Sequence, residues 1–296
     1  MISAQNLTKR YGKKIAVDGL SLEVARGEIF GLLGPNAAGK TTAMRMLCGI
    51  IEFDSGQVKI GGKEVRDAKH DFGYVSQYFG QYEELSVWEN LNFYAQIYGV
   101  DDQPRLQQLL QRYELEPFKH KLAGALSGGY QRRLALVCAL AHDPAVLFLD
   151  EPTAGIDPTT RKMLWDDFYN LSAQGKTLFV TTHYMEEAQR CHQLAFLSAG
   201  KMVASGTPES IKSAIGDARI FSGAIAFRPE LRDALLRAQG VQLVNQFGTE
   251  LRVLCDSSIG ISAIQNIVNQ YAKDVVLEPV VANLEDVFIA LTKPQI

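Results

Sequence analysis

A short apolar run, EIFGLL at residues 28–33, stops at Gly34 and opens into GPNAAGKTT; Ala43, Met44, Met46 and Leu47 then recur at helical spacing. Nothing else in the chain restricts its fold so tightly. Strand, glycine loop and helix, in that order, are the context of a phosphate-binding loop in an α/β domain. In Gly34-x-x-x-x-Gly39-Lys40-Thr41 successive backbone N–H groups form a concave anion site, and the following helix turns its positive end toward it. The pattern assigns Lys40 to the β- and γ-phosphates of a nucleotide and the Thr41 hydroxyl to Mg²⁺.

The surrounding texture supports an α/β class. Residues 2–7 and 20–25 read as strands, and residues 56–60 followed by Gly61-Gly62 as an antiparallel hairpin element. Residues 87–98, 103–113 and 127–141 carry apolar residues at three-to-four spacing and predict a helical insert over about 78–143. Continuous apolar runs at 145–149, 176–181 and 193–197 predict parallel strands covered on both faces, alternating with helices at 158–172 and 185–191. Beyond residue 216 the pattern predicts strands at 220–227, 241–247, 251–256 and 275–279, with helices at 228–238 and 261–271. The expectation is therefore a nucleotide domain over 1–216 and a small βαββαβ α+β domain over 217–296, the latter regulatory or dimer-stabilising.

Two further motifs carry chemistry. The run at 145–149 delivers Asp150 and Glu151 at its C-terminal end, where α/β sheets hold ligands; Asp150 suits Mg²⁺ and Glu151 the activation of an attacking water. In LSGGYQ, Ser127 can cap the following helix, while Gly128 and Gly129 leave bare backbone that a phosphate can approach.

With these motifs in order, residues 1–215 resemble the ATP-binding subunit of an ABC transporter, built on a P-loop NTPase core with a mainly parallel sheet, an antiparallel β subdomain and a helical insert. The resemblance implies ATP and Mg²⁺ as cofactors. It implies that Tyr11 stacks on adenine and that Gly34, Pro35, Asn36, Ala37, Ala38, Gly39, Lys40, Thr41 and Thr42 form the phosphate loop. Gln77 in YVSQ corresponds to the glutamine that senses metal and water, Asp150 to the metal-binding carboxylate, Glu151 to the general base and His183 to the switch histidine. Ser127, Gly128 and Gly129 correspond to the signature, with Tyr130 where the family usually has glutamine; Asp157 closes AGID, the loop that crosses a dimer. One position departs: the family loop usually reads GPNGAGK, and here residue 37 is alanine. If φ is positive there, its Cβ costs roughly 1–2 kcal/mol.

LSGGYQRRLALVCAL, DEPTAGIDP, TTHYMEEAQRC and the ending Leu284-Glu285-Asp286-Val287-Phe288 are similar to single-domain ATPases of drug, polysaccharide or lipid exporters. The resemblance implies a head-to-tail, ATP-dependent homodimer and an integral-membrane permease on a separate chain, docked on the helical insert, with Tyr78, Phe79, Tyr82 and Trp88 as contact candidates. The alternatives are a non-transport ABC ATPase and a nucleotide-binding regulator with weak turnover. Composition bears on these: 30 Lys+Arg against 33 Asp+Glu give a net charge of -3, which offers no field for nucleic acid. MISAQNLTKRYGKK lacks the apolar core of a secretory signal, and no apolar run reaches the ~20 residues of a membrane span. Cys48, Cys138, Cys191 and Cys255 stand apart with no CxxC pair, as in a reducing compartment. The expected location is cytoplasmic, on the inner face of the membrane through the permease.

Overall fold

The computed structural model describes residues 1–272 and 274–292. The chain divides into two compact units, Met1–Ser205 and Gly206–Ile296.

In the first unit, β1 (Ile2–Tyr11) and β2 (Lys14–Val24) form a long hairpin, β3 (Ile29–Leu33) leads to the glycine loop, and α1 (Lys40–Leu47) follows it. Then come β4 (Ser55–Ile60), β5 (Lys63–Glu64) and β6 (Phe72–Val75). Helices α2 (Val87–Ile97), α3 (Gln103–Arg112) and α4 (Gly128–Leu140) form the insert, with single 3₁₀ turns at Glu116–Phe118 and Ala123–Ala125. The core resumes with β7 (Val146–Asp150), α5 (Pro158–Ala173), β8 (Thr177–Thr182), α6 (Met185–Ala188), β9 (Gln193–Ser198) and β10 (Lys201–Gly206). Helix starts are written locally. Ser86 and Glu89 make a reciprocal capping box on α2, and Asp102 and Asp157 accept from the third backbone N–H beyond them on α3 and α5, each followed by a first-turn proline.

The central sheet runs β10-β9-β3-β8-β7-β6, with β9, β3, β8, β7 and β6 mutually parallel. Every residue of β3, β7 and β8 is buried, as parallel strands with both faces covered must be. A second, antiparallel sheet runs β2-β1-β4-β5. One apolar core joins the two layers, through Leu7, Leu20, Met44, Phe148 and Phe179. Burial of side chains of this size contributes about 1.5–3 kcal/mol each.

The second unit has α7 (Pro208–Lys212), a 3₁₀ turn at Ser213–Ile215, β11 (Arg219–Ala224), α8 (Pro229–Arg237), β12 (Val241–Phe247), β13 (Glu250–Cys255), α9 (Ile261–Asn269), β14 (Glu278–Val280) and α10 (Leu284–Thr292). Its antiparallel sheet runs β12-β13-β11-β14. Alternate residues serve opposite faces. Phe221, Val244 and Val253 pack with α8 and α9, while Ile220, Leu243 and Leu254 pack on the other side, where Ile289 of α10 lies.

Several expectations shift. The division falls ahead of the expected 216/217 boundary, because α7 packs against α10. The last strand begins at Glu278 rather than 275, since the Gln265 side chain occupies the backbone first: its Nε2 donates to Val275 O (2.7 Å) and its Oε1 accepts from Leu277 N (2.8 Å). β11 ends at Ala224, and Pro229 then opens α8. The helix expected over 185–191 stops at Ala188 and tightens to three-residue turns, Arg190 N to Glu187 O and Cys191 N to Ala188 O, before His192 N reaches Ile29 O. β6, β10 and α10 were not expected as elements. Of the four contact aromatics, Tyr78 and Tyr82 are exposed, but Phe79 and Trp88 are half-buried, with Lys119 Nζ 4.1 Å from the Trp88 ring centre. No helix among the described residues is long and apolar enough to cross a membrane.

Candidate active site

The site lies beyond the C-terminal ends of β3, β7, β8 and β6, the edge where parallel α/β sheets present their loops. The loop from Gly34 to Gly39 admits no larger residue at either end. A Cβ on Gly34 would sit 2.2 Å from Leu197 O; Gly39 has φ +108, and its Cβ would meet Ala16 O at 2.3 Å. Ala38 N donates to Pro35 O and Gly200 N to Ala38 O, which pins the loop between. Lys40, at the first position of α1, is 5% exposed and bends back over the loop. Its Nζ donates to Gly34 O (2.8 Å) and Pro35 O (3.2 Å) and lies 3.2 Å from Glu151 Oε1.

Asp150 ends β7 fully buried. Its Oδ1 accepts from Thr181 Oγ1 (2.6 Å) and Thr41 Oγ1 (3.3 Å), while Oδ2 has no partner. Burial pushes the carboxyl above the usual range against these hydrogen bonds, and neighbouring Glu151 adds to the rise. A buried carboxylate oxygen left without a donor, beside a threonine hydroxyl, fits a hard cation that prefers oxygen ligands. Thr41 and Asp150 are the residues that would hold Mg²⁺.

Glu151 follows at φ +46, a conformation costly for a residue with a Cβ, held because its N–H donates to Thr181 O (3.2 Å) and Thr181 Oγ1 (3.0 Å). Three groups converge on its carboxylate: Lys40 as above, Gln77 Nε2 donating to Oε2 (3.2 Å), and His183 Nδ1 3.2 Å from Oε2. The His183 contact does not have hydrogen-bond geometry, so Nδ1 stays without a partner. Gln77 is placed by β6 and by Arg132 of α4, which donates to Ser76 O (2.9 Å) and Gln77 O.

A cleft of about 580 Å³ opens over these groups, lined by Tyr11, Asn36, Ala37, Gly39, Lys40, Thr41, Thr42, Gln77 and Glu151. Tyr11 stands at the end of β1, 53% exposed. Gly34, Pro35, Ala38, Asp150 and His183 do not themselves line the cleft, and neither do Ser127, Gly128, Gly129 and Asp157, which the resemblance assigns to a head-to-tail dimer. Ser127 precedes α4 with extended backbone, its hydroxyl makes no cap, and Ser127 and Gly128 are exposed. Gly129 lies where a Cβ would touch Thr160 Cγ2 at 2.9 Å. Asp157 caps α5, its Oδ1 accepting from Thr160 N (3.0 Å); hydrogen bonding from the Thr160 hydroxyl first, and from its N–H second, lowers the Asp157 carboxyl below the usual range.

The family model described as ABC transporter matches residues 17–154. Nod factor export ATP-binding protein I of Burkholderia thailandensis is 43% identical over 224 residues, covering 73% of this chain and 74% of that protein. The chain belongs to the family of ABC transporter ATP-binding proteins. "Probable multidrug ABC transporter ATP-binding protein YbhF" of Escherichia coli is 39% identical over 220 residues, covering 72% of this chain. The match spans only 38% of YbhF's own length. Among solved structures, the ATP-binding subunit of an ABC transporter superposes with TM-score 0.68 at 28% identity, covering 73% of this chain and 93% of that one. A dimeric bacterial ABC transporter cassette gives 0.65 at 27%, covering 70% and 98%. The P-loop α/β fold expected from sequence is thus shared with these cassettes.

Within this ABC ATP-binding chain, Ala37 adopts φ +65, so the methyl does occupy a left-handed position that favours glycine. Sequence reasoning missed Arg132, whose signal is only the Arg132-Arg133 pair directly after LSGGYQ, and Glu187, which lies in the TTHYMEEA run without a pattern that assigns it a role.

Proposed function

We propose that this chain binds ATP with Mg²⁺ in the cleft and hydrolyses it, as one half of a head-to-tail homodimer that drives export through a separate membrane permease. The observation that carries this reading is the convergence of Lys40, Gln77 and His183 on Glu151, next to the half-satisfied Asp150. The loop N–H groups and the start of α1 receive the phosphates. A γ-phosphate arriving at Lys40 takes the ammonium from Glu151, and the released carboxylate accepts the proton of the attacking water. Gln77 orients that water, and His183 steadies the transferred phosphoryl group through its unpaired nitrogen. Mg²⁺, held by Thr41 and Asp150, would supply positive charge to the phosphates. Tyr11 provides a stacking face for the base.

The exposure of Ser127 and Gly128, away from their own chain's cleft, supports their service to the site of a second copy, with Asp157 at the crossing loop. The permease contact falls on the insert near Tyr78 and Tyr82, which are exposed. The name of one relative, Nod factor export ATP-binding protein I, supports the direction of transport. Such a subunit works at the cytoplasmic face of the membrane. The C-terminal unit stabilises or regulates the dimer.

Glu151→Gln tests the reading. ATP binding should persist while phosphate release falls ~10²–10⁴-fold, as for loss of a general base. ATP should then trap a closed dimer, visible by light scattering. Unchanged turnover in this variant removes Glu151 from the chemistry, and dimers that survive Ser127→Arg exclude the head-to-tail arrangement.

A further inference from the structure

Glu187 of α6 is a carboxylate that the chemistry above does not use, yet it is 1% exposed. Both of its oxygens are occupied by hydroxyls from two different catalytic segments. Thr182 Oγ1 donates to Oε2 at 2.7 Å, and Thr153 Oγ1 donates to Oε1. Thr153 lies two residues beyond Glu151 in the turn closed by Ala154 N to Glu151 O, and Thr182 immediately precedes His183. Thr182 Oγ1 also accepts from Tyr184 N (3.0 Å), so one hydroxyl brackets His183 from both sides. Arg161 Nε stands 3.6 Å from Oε1 without making a hydrogen bond, and its guanidinium lies 4.8 Å from the Tyr184 ring centre.

Burying a carboxylate is costly, and an apolar side chain of similar volume would fill the same space more cheaply. What the carboxylate does and an apolar group cannot do is accept two hydrogen bonds at a fixed separation. Here those bonds tie the turn carrying Glu151 to the strand end carrying His183. From this geometry, and resting on the ATPase reading above, we infer that Glu187 is a positioning residue for hydrolysis, holding Glu151 and His183 at their working separation through Thr153 and Thr182. Glu187 touches no reacting atom. Its effect reaches the chemistry only as placement, to which rate is steeply sensitive: a shift of about 1 Å can cost ~10²-fold.

The test compares wild type, Glu187→Gln, Glu187→Ala and the double variant Thr153→Val/Thr182→Val, each assayed for steady-state phosphate release and for equilibrium ATP binding, with rates expressed per ATP site bound. Glu187→Gln keeps the shape but one acceptor oxygen only, and should lower kcat by roughly tenfold. Glu187→Ala and the double threonine variant should lose on the order of tenfold to a hundredfold. KM for ATP should stay within about twofold throughout. Combining Glu187→Gln with the two threonine changes should add nothing to the threonine variant alone, since all three remove one device. A merely structural glutamate would lower melting temperature and the number of binding sites but leave kcat per site at the wild-type value, and that result in Glu187→Gln overturns the inference. Additive losses overturn it as well. If Glu187→Ala does not fold, the Gln and Val variants decide. Absence of phosphate release by wild type overturns the ATPase reading and this inference together; release by wild type with an unaltered Glu187→Gln overturns this inference alone.

Discussion

Asp286, in the C-terminal unit, and Asp150, at the end of β7, are both buried carboxylates, 2% and 0% exposed. Asp286 has a full set of partners. Arg252 reaches it through Nε (3.2 and 3.3 Å) and Nη2 (2.7 Å), and Asn283 N donates to it at 3.0 Å. Arg252 spends its other donors on Glu250 (3.0 Å) and Val281 O (3.0 Å). The cluster is closed and clasps α10 against the sheet. Asp150 accepts two hydroxyls on one oxygen, has nothing on the other, and meets no cation in an ion pair among the described residues. Residue type and burial are the same in both places; satisfaction differs. A closed cluster is architecture, whereas one held open against its own desolvation cost is kept for what completes it.

The contrast has opposite consequences for stability. Asp286→Asn breaks a buried ion pair and leaves Arg252 with only the half-exposed Glu250 as counter-charge, so it should cost about 3 kcal/mol. Asp150→Asn should behave in the other direction. Burial raises the folded carboxyl's pKa, so folding favours the protonated form, and the native state loses stability as pH rises past the unfolded value of about 3.9. At pH 7 the amide, which still accepts from Thr41 and Thr181, should hold or raise the melting temperature while abolishing metal-dependent turnover. Calorimetric melts of the two variants compare them directly; an Asp150→Asn loss as large as that of Asp286→Asn would erase the distinction.

Asp167 of α5 gives a smaller effect of the same sign. Burial pushes its carboxyl up to about 6 in spite of Arg133 and Arg112 nearby. Between about pH 4 and pH 6 the folded chain therefore holds a proton that the unfolded chain has released, and stability declines across that window as pH rises. Because the carboxyl is partly in water, Asp167→Asn should gain only about 1 kcal/mol at pH 7.5 and nothing at pH 4. A gain equal at both values would rule out titration of this carboxyl as the cause.

Smallest is Ala37. At φ +65 its methyl costs roughly 1–2 kcal/mol, partly offset by the greater unfolded-state freedom of a glycine. Ala37→Gly should leave ATP affinity nearly unchanged and raise kcat severalfold, because the loop N–H groups must tighten as charge shifts in the transition state. Equal kcat in the two proteins would show the methyl to be tolerated.

The parts of the site legible in the sequence are those whose chemistry sits in consecutive residues or behind an apolar strand: the loop from Gly34 to Thr42, the pair Asp150-Glu151, and His183; Gln77 comes from the family resemblance alone, its strand being unexpected. What escaped depends on distance along the chain. In the proposed dimer Ser127 and Asp157 take their roles from a second copy, so the single chain shows them only as an uncapped helix start and as the cap of α5. Glu187 gains its meaning only when Thr153, 34 residues earlier, folds against it. In the fold, β6 is only four residues long and β10 has no buried residue to mark a strand, whereas the fully buried β3, β7 and β8 declare themselves as apolar runs. The extension of β1 to Tyr11 was hidden by the charged pair Lys9-Arg10, which carries no apolar alternation to read.

The central claim is that the open cluster is completed by ATP and Mg²⁺. It is tested most directly by the melting temperature of Glu151→Gln, in which hydrolysis is blocked, measured with and without Mg²⁺ and ATP. At a hundredfold excess of nucleotide over its dissociation constant, binding should add about 2.7 kcal/mol of stability, which Lys40→Ala should abolish. No stabilisation, or an equal stabilisation in the Lys40→Ala protein, would contradict the account.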